Sequence, residues 1–299
     1  MTSARDWVAG ARPRTLPLAL APVITACAGP VVNRQAAWGF AAGAAVVSLL
    51  LQIGVNYAND YSDGIRGTDK DRVRTGGPVR LVGQGLAAPA AVKRAAMVCF
   101  TLAALVGLTV AAASGHWAVV GIGAAAIPAA WFYTGGTRPY GYAGLGELFV
   151  FVFFGLAAAA GTELVQTGSV TTATWILGSG QGLLASAVLM VNNLRDIATD
   201  TEHGKRTLAT RLGDRRARSA YLVMMLLAAL LLATGTAQIM SVQASLLVLL
   251  ASGIAGALLA RSVLRGAVGR DLVRVLAGTG RLALALALLV MALAVMTAW

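Results

Sequence analysis

Only 12 of the 299 residues are acidic, and most of them stand in two short clusters. The first reads Asn56-Tyr-Ala-Asn59-Asp60-Tyr-Ser-Asp63 and is followed by Asp69 and Asp71. The second reads Asn192-Asn193-Leu-Arg195-Asp196-Ile-Ala-Thr-Asp200, then Glu202, Lys205 and Arg206. On a helix, Asn56, Asp60 and Asp63 share one face at i, i+4 and i+7, and Asn192, Asp196 and Asp200 share another at i, i+4 and i+8. Each segment then aims a pair of carboxylates and an amide in one direction. Crowded carboxylates repel, and a divalent cation resolves the repulsion. Hard oxygen donors from a few carboxylates, with room left for phosphate, suit Mg2+ better than a soft metal, which makes Asp60, Asp63, Asp69, Asp196 and Asp200 the candidate ligands. Interleaved Lys70, Arg72, Arg138, Lys205 and Arg206 supply positive charge for an anionic ligand such as a diphosphate. The amides of Asn56, Asn59, Asn192 and Asn193 stand beside them as further candidate binding groups.

A third segment, Tyr133-Thr-Gly-Gly-Thr-Arg138-Pro-Tyr140-Gly-Tyr142, has the Gly and Pro content of a tight, rigid loop. Its tyrosines offer π faces to a cation or an aromatic ring. Glu147 follows at the start of an apolar stretch without an obvious local partner, and an ionisable group entering hydrocarbon marks function. The groups proposed to take part in the chemistry are thus Asp60, Asp63, Asp196, Asp200, Tyr133, Tyr140 and Glu147.

What positions these groups is a membrane bundle. The chain is 58% hydrophobic and 12% charged, with a mean hydropathy of +0.74, too few charges to cover a water-soluble domain of this size. Stretches of ~20 apolar residues, enough to cross a ~30 Å hydrocarbon layer, occur at about 15–32, 37–58, 90–113, 117–134, 146–166, 173–194, 218–236, 241–262 and 281–298. These nine spans predict an all-α membrane protein with its termini on opposite sides. Threading the chain through them sends every Lys and Arg except Arg34 to one face, so the positive-inside rule makes the N-terminus and the acidic loops cytoplasmic and the C-terminus extracytoplasmic. Trp38, Trp117, Trp131, Trp175 and Trp299 fall near span ends, where indoles sit at the headgroups. The net charge of +12 is spread over short connections and leaves no soluble surface for nucleic acid. Cys27 and Cys99 lie in apolar segments with no CxxC spacing, which suggests neither a disulfide framework nor zinc. No linker or low-complexity tail divides residues 1–299, so a single integral membrane domain is expected.

The acidic clusters end the second and sixth spans, four spans apart, which suggests related four-helix units facing each other with a ninth helix added. Both clusters resemble those of UbiA-type intramembrane prenyltransferases, a resemblance that covers nearly the whole chain and its nine-span layout. Ala11-Arg12-Pro13-Arg14-Thr15-Leu16-Pro17, the segment from Tyr133 through Glu147, and Gly204-Lys205-Arg206-Thr207-Leu208 are similar to the MenA branch, which prenylates 1,4-dihydroxy-2-naphthoate. The resemblance implies Mg2+ held by Asp60, Asp63, Asp196 and Asp200, a polyprenyl diphosphate neutralised by Arg138, Lys205 and Arg206, an allylic cation in a dry pocket, and attack by the naphthoate ring with loss of CO2 to give demethylmenaquinone. It also implies the cytoplasmic membrane of a bacterium, with lipid as the surrounding partner. Asp63 and Asp69 are further apart than in many relatives. After the fourth span, Gly135, Gly136 and Arg138 replace the Tyr-Pro and basic pair of the 4-hydroxybenzoate branch. A sister enzyme with another acceptor is the neighbouring alternative. A transporter using intramembrane carboxylates is the distant one, opposed by the gathering of acids at one face and not at mid-membrane.

Overall fold

The computed structural model describes residues 2–67 and 79–299, and every regular element among them is helical. Asp69, Lys70 and Arg72 lie outside the described residues. The first crossing is broken into α1 (Ala4–Gly10), a 3-10 turn (Pro13–Thr15), α2 (Leu16–Ala26) and α3 (Ala28–Val32). Next come α4 (Trp38–Arg66), α5 (Pro89–Ser114) and α6 (Ala118–Phe132). The following crossing is α7 (Gly146–Phe151), a π-helical turn (Val152–Ala157) and α8 (Ala158–Thr167). Then follow α9 (Thr172–Arg195), the short α10 (Ile197–Glu202), α11 (Leu208–Ala237), α12 (Val242–Leu264) and α13 (Gly269–Ala298).

All nine apolar segments read from the sequence are therefore helical. Among the described residues, 8 of the crossings are long and apolar enough to span a membrane. The remaining one, α6, has only 15 residues, below the usual ~20. Helices α11 and α13 begin earlier than hydropathy marks, at Leu208 and Gly269, because Arg211 in the first turn of one and Arg270 and Asp271 in that of the other lower the hydropathy without breaking the helix. Gly213, at φ 74° and ψ 166°, interrupts α11 after its first turn in a conformation that only glycine adopts easily.

The main core is built by α2, α3, α9, α11, α12 and α13, where Leu184, Val191, Tyr221, Leu232, Leu286 and Val290 pack together. A smaller core joins α4 and α5 to the chain that returns at residues 81–87, through Tyr57, Leu81, Val92 and Phe100. With lipid as apolar as leucine, close packing and hydrogen bonds must hold such helices together. Both are present. A Cβ on Gly155 of the π-helical turn would stand 2.6 Å from the Gly178 carbonyl oxygen and 2.6 Å from the Cα of Gly182, so only glycines allow that turn to seat on α9. Gln181 of α9 donates to Thr25 of α2 at 2.9 Å, and the hydroxyls of Tyr221 and Thr279 meet at 2.8 Å between α11 and α13.

Contacts at the extremities order the ends of the bundle. The Thr2 hydroxyl donates to the Leu86 carbonyl at 2.6 Å, tying the N-terminus to the connection before α5. Arg34 donates to the Ala298 carbonyl at 2.9 Å, tying the C-terminus to the connection before α4. These connections lie at opposite ends of α4.

Candidate active site

A cavity of about 480 Å³ runs between α2, α4, α5, α6, the α7–α8 crossing and α9. Its walls are mostly Ala, Val, Leu, Gly and Phe, and polar side chains collect at one end. From the first cluster come Asn56, Asn59 and Asp63, from the second Asn192 and Lys205, and from the intervening connections Tyr133, Tyr140, Thr134 and Arg80. The structure thus brings both sequence clusters to one mouth.

Helix α4 extends to Arg66, so the first cluster is helical, as its spacing predicts. Asp63, 2% exposed, accepts the Tyr142 hydroxyl at 2.7 Å and lies 4.0 Å from the Arg80 guanidinium. Asp60 lines no part of the cavity. Fully buried, it accepts the backbone N–H of Leu81 at 2.7 Å and of Val82 at 2.9 Å, so its charge fixes the returning chain that carries Arg80.

The second cluster departs from the expected continuous face. Helix α9 ends at Arg195, and Asp196 breaks the path at φ −99° and ψ 8° before α10 begins. The Arg195 guanidinium grips Asp196 through paired bonds of 2.7 Å and also donates to Asn192 at 3.1 Å. That local fork competes with helix continuation, so the i, i+4, i+8 alignment is lost at its middle member. Asp200 remains buried and lies 3.8 Å from Lys205 Nζ.

Glu147 is buried behind the mouth at the start of α7. Asn193 donates to its Oε1 at 2.9 Å, while its Oε2 has no hydrogen-bond partner among the described residues. Tyr133, Tyr140, Phe149 and Phe153 form an aromatic run along the cavity wall, with successive ring centroids 5.5, 4.0 and 6.2 Å apart. Burial pushes the Tyr140 phenol well above its ordinary pKa, keeping it a neutral donor to the Ala129 carbonyl at 2.8 Å. The side chains of Arg138 and Arg206 are exposed and outside the cavity wall, and Arg206 contributes its backbone N–H to the Tyr142 carbonyl.

Sequence reasoning missed part of the lining. Arg80 was visible only as one charge in a basic connection, and its burial follows from the Asp60 clamp. Arg12 lines the cavity from a left-handed backbone at φ 54°, next to Thr15, Gln52 and Asn56. The Gln52 amide donates to Thr15 at 2.9 Å, and the Asn56 amide to the Ala11 carbonyl at 2.9 Å. The available signals were a Gln inside an apolar span and a positively charged residue before Pro13.

Among the described residues, no three Asp, Glu, His or Cys side chains converge as a metal cage. Mg2+ does not require one, since it is commonly held by one or two carboxylates together with substrate phosphates. Asp63 lines the mouth together with Asn59, Asn192, Lys205 and Arg80. The side-chain oxygens of Asn59 and Asn192 accept from Thr134 at 2.8 Å and from Arg195 at 3.1 Å, and each keeps a second lone pair, so Asp63 with these amides is a donor set of that kind.

The sequence profile of the UbiA prenyltransferase family matches residues 16–271. The chain belongs to this family. Within the UbiA family it is 48% identical over 300 residues to the 1,4-dihydroxy-2-naphthoate octaprenyltransferase of Mycobacterium tuberculosis, covering 99% of this chain and 97% of that one. It is 41% identical over 225 residues to the protein of the same name from Escherichia coli, covering 71% and 70%. A solved structure of a UbiA homolog from Archaeoglobus fulgidus bound to GPP and Mg2+ superposes with a TM-score of 0.69 at 12% identity, covering 96% of this chain and 99% of that one. A structure described in work on digeranylgeranylglyceryl phosphate synthase superposes at 0.67 with 14% identity, over 99% and 100%. The nine-segment bundle is therefore the UbiA fold.

Proposed function

We propose that this UbiA-family chain transfers a polyprenyl group from polyprenyl diphosphate to 1,4-dihydroxy-2-naphthoate, releasing CO2 and diphosphate and forming the prenylated 1,4-dihydroxynaphthalene demethylmenaquinol, the two-electron-reduced form of demethylmenaquinone. The observation that carries this reading is the joining of a polar mouth, with Asp63, Arg80 and Lys205, to a long apolar cavity. A diphosphate needs the first and a prenyl tail the second. The relatives at 48% and 41% identity support the acceptor.

The C–O bond of the donor breaks with its electron pair leaving on diphosphate. Lys205 and Arg80 stand where that developing charge is stabilised, and pre-placed cations are worth most in a site shielded from water. Mg2+, when bound, would be held by Asp63 with the oxygens of Asn59 and Asn192, and would neutralise diphosphate charge. Asp200 holds Lys205, whereas Asp60 and Asp196 act behind the mouth through the chain and the arginine they bind. The π faces of Tyr133, Tyr140 and Phe149 favour an allylic cation, and the apolar wall denies it water. The ring carbon bearing the carboxylate of the acceptor forms the new C–C bond. Loss of that carboxylate as CO2 returns its electron pair to the ring and restores aromaticity. The single domain lies in a bacterial cytoplasmic membrane with its mouth on the cytoplasmic side.

Purified protein supplied with one prenyl diphosphate and a panel of acceptors tests the assignment. Product and CO2 are expected from 1,4-dihydroxy-2-naphthoate, and no product from 4-hydroxybenzoate. Equal turnover of both would remove the acceptor assignment, and transfer to neither would remove the activity.

A further inference from the structure

One side chain touches both halves of the mouth without lining the cavity. Tyr142 lies in the 3-10 turn Tyr140–Ala143. Its hydroxyl donates to Asp63 at 2.7 Å, and its ring lies under Lys205 Nζ and Arg66 Cζ, 5.0 and 5.4 Å from the centroid. Its carbonyl accepts the N–H of Arg206 at 3.0 Å. The connection leading into the turn is also sewn to α4: Arg66 donates to the carbonyls of Thr134 and Gly136, and Thr134 donates to Asn59 at 2.8 Å. Helix α4, the turn and the segment before α11 therefore converge on this residue.

We propose, on the basis of the prenyl diphosphate reading above, that Tyr142 is a positioning residue that holds Asp63 and Lys205 apart across the mouth. Lys205 is a long, flexible cation whose opposite charge, Asp200, is 3.8 Å away. Attraction to the ring face fixes its ammonium without neutralising it. Asp63 faces Arg80 at 4.0 Å, and the neutral phenol takes up one carboxylate oxygen without cancelling the charge. Without Tyr142, Lys205 and Asp63 are able to collapse onto nearby opposite charges. The mouth then loses both a cation for diphosphate and an anion for the metal.

The test compares wild type, Tyr142→Phe and Tyr142→Leu in detergent by thermal melting against Mg2+ and inorganic pyrophosphate, together with kcat and KM for the prenyl donor. The Phe variant keeps the ring and loses the hydroxyl. It should melt near wild type alone and need about tenfold more Mg2+ for half of the ligand-induced stabilisation. The Leu variant loses both contacts and should need at least about 30-fold more pyrophosphate, with the donor KM rising in parallel. A merely structural role predicts lower melting of the variants alone but unchanged Mg2+ and pyrophosphate concentrations for half stabilisation, and that result overturns the proposal. So does a Phe variant indistinguishable from Leu, which denies the ring its part. If wild type itself gains no stability from Mg2+ and pyrophosphate, the diphosphate reading fails and the proposal with it.

Discussion

Asp60 and Asp63 stand three residues apart on α4 and meet different partners. Asp63 lines the mouth, whereas Asp60 accepts the N–H groups of Leu81 and Val82. Substitution by Asn should separate them. Asp63→Asn keeps the size and one oxygen but loses the charge offered to a metal. Its turnover should fall at least about 100-fold, ~2.7 kcal/mol of transition-state stabilisation, with an increased Mg2+ requirement, while the remaining oxygen still accepts the Tyr142 hydroxyl. Asp60→Asn presents an amide donor to a backbone donor in a fully buried site. It should cost about 1.5–3 kcal/mol of stability and lower the melting temperature along with activity. Initial-rate Mg2+ titrations beside thermal melts decide the matter, and wild-type melting of Asp60→Asn would deny Asp60 its clamp. Spacing on a helix showed that these carboxylates share a face. It could not show which one the returning chain would claim, because that contact joins residues 21 apart in sequence. The same limit hid Arg80, whereas Asn56, Asn59, Asn192 and Lys205 were legible because their clusters are local.

At the scale of elements, the site depends on where the π-helical turn seats against α9. Helix α7 carries Glu147 and Phe149 toward the mouth, and the turn that follows widens the backbone beside Gly178 and Gly182. A Cβ at Gly182 would stand 2.7 Å from the Phe151 carbonyl oxygen, a backbone atom that cannot swing aside. Gly182→Ala should therefore destabilise the protein by about 1–3 kcal/mol and push α7 outward. Its signature is a lowered melting temperature with a loss of activity that a longer prenyl donor does not restore. Wild-type melting would show that the contact relaxes freely. Apolar periodicity made the span at 146–166 legible, but neither its π-helical turn nor the break at Asp196 leaves a hydropathy signal. Each arises from a local alternative, glycine contact in one and the Arg195–Asp196 fork in the other, that composition averages away. The short α6 was read as an ordinary span for the same reason, since its 15 residues pass as a longer segment when flanking Trp117 and Tyr133 are counted.

For the whole molecule, charge sorting and end contacts give the same topology independently. Threaded through nine spans, the sequence assigns every lysine and arginine but Arg34 to one face. Thr2 bonds to Leu86 at one end of the bundle, and Arg34 bonds to Ala298 at the other. An odd number of crossings requires that arrangement, and it counts the short α6 as a crossing. Since Lys and Arg are retained on the cytoplasmic side, the mouth with Lys205 and Arg80 should open to the cytoplasm, where a soluble aromatic acid and a diphosphate are delivered. A reporter fused after Trp299 should therefore be extracytoplasmic. One inserted at Gly85, an exposed position in the connection before α5, should be cytoplasmic. Protease or thiol labelling of intact cells reads both positions. If both reporters fall on one side, α6 does not cross, the acidic clusters lie on opposite faces of the membrane, and no single mouth can join them.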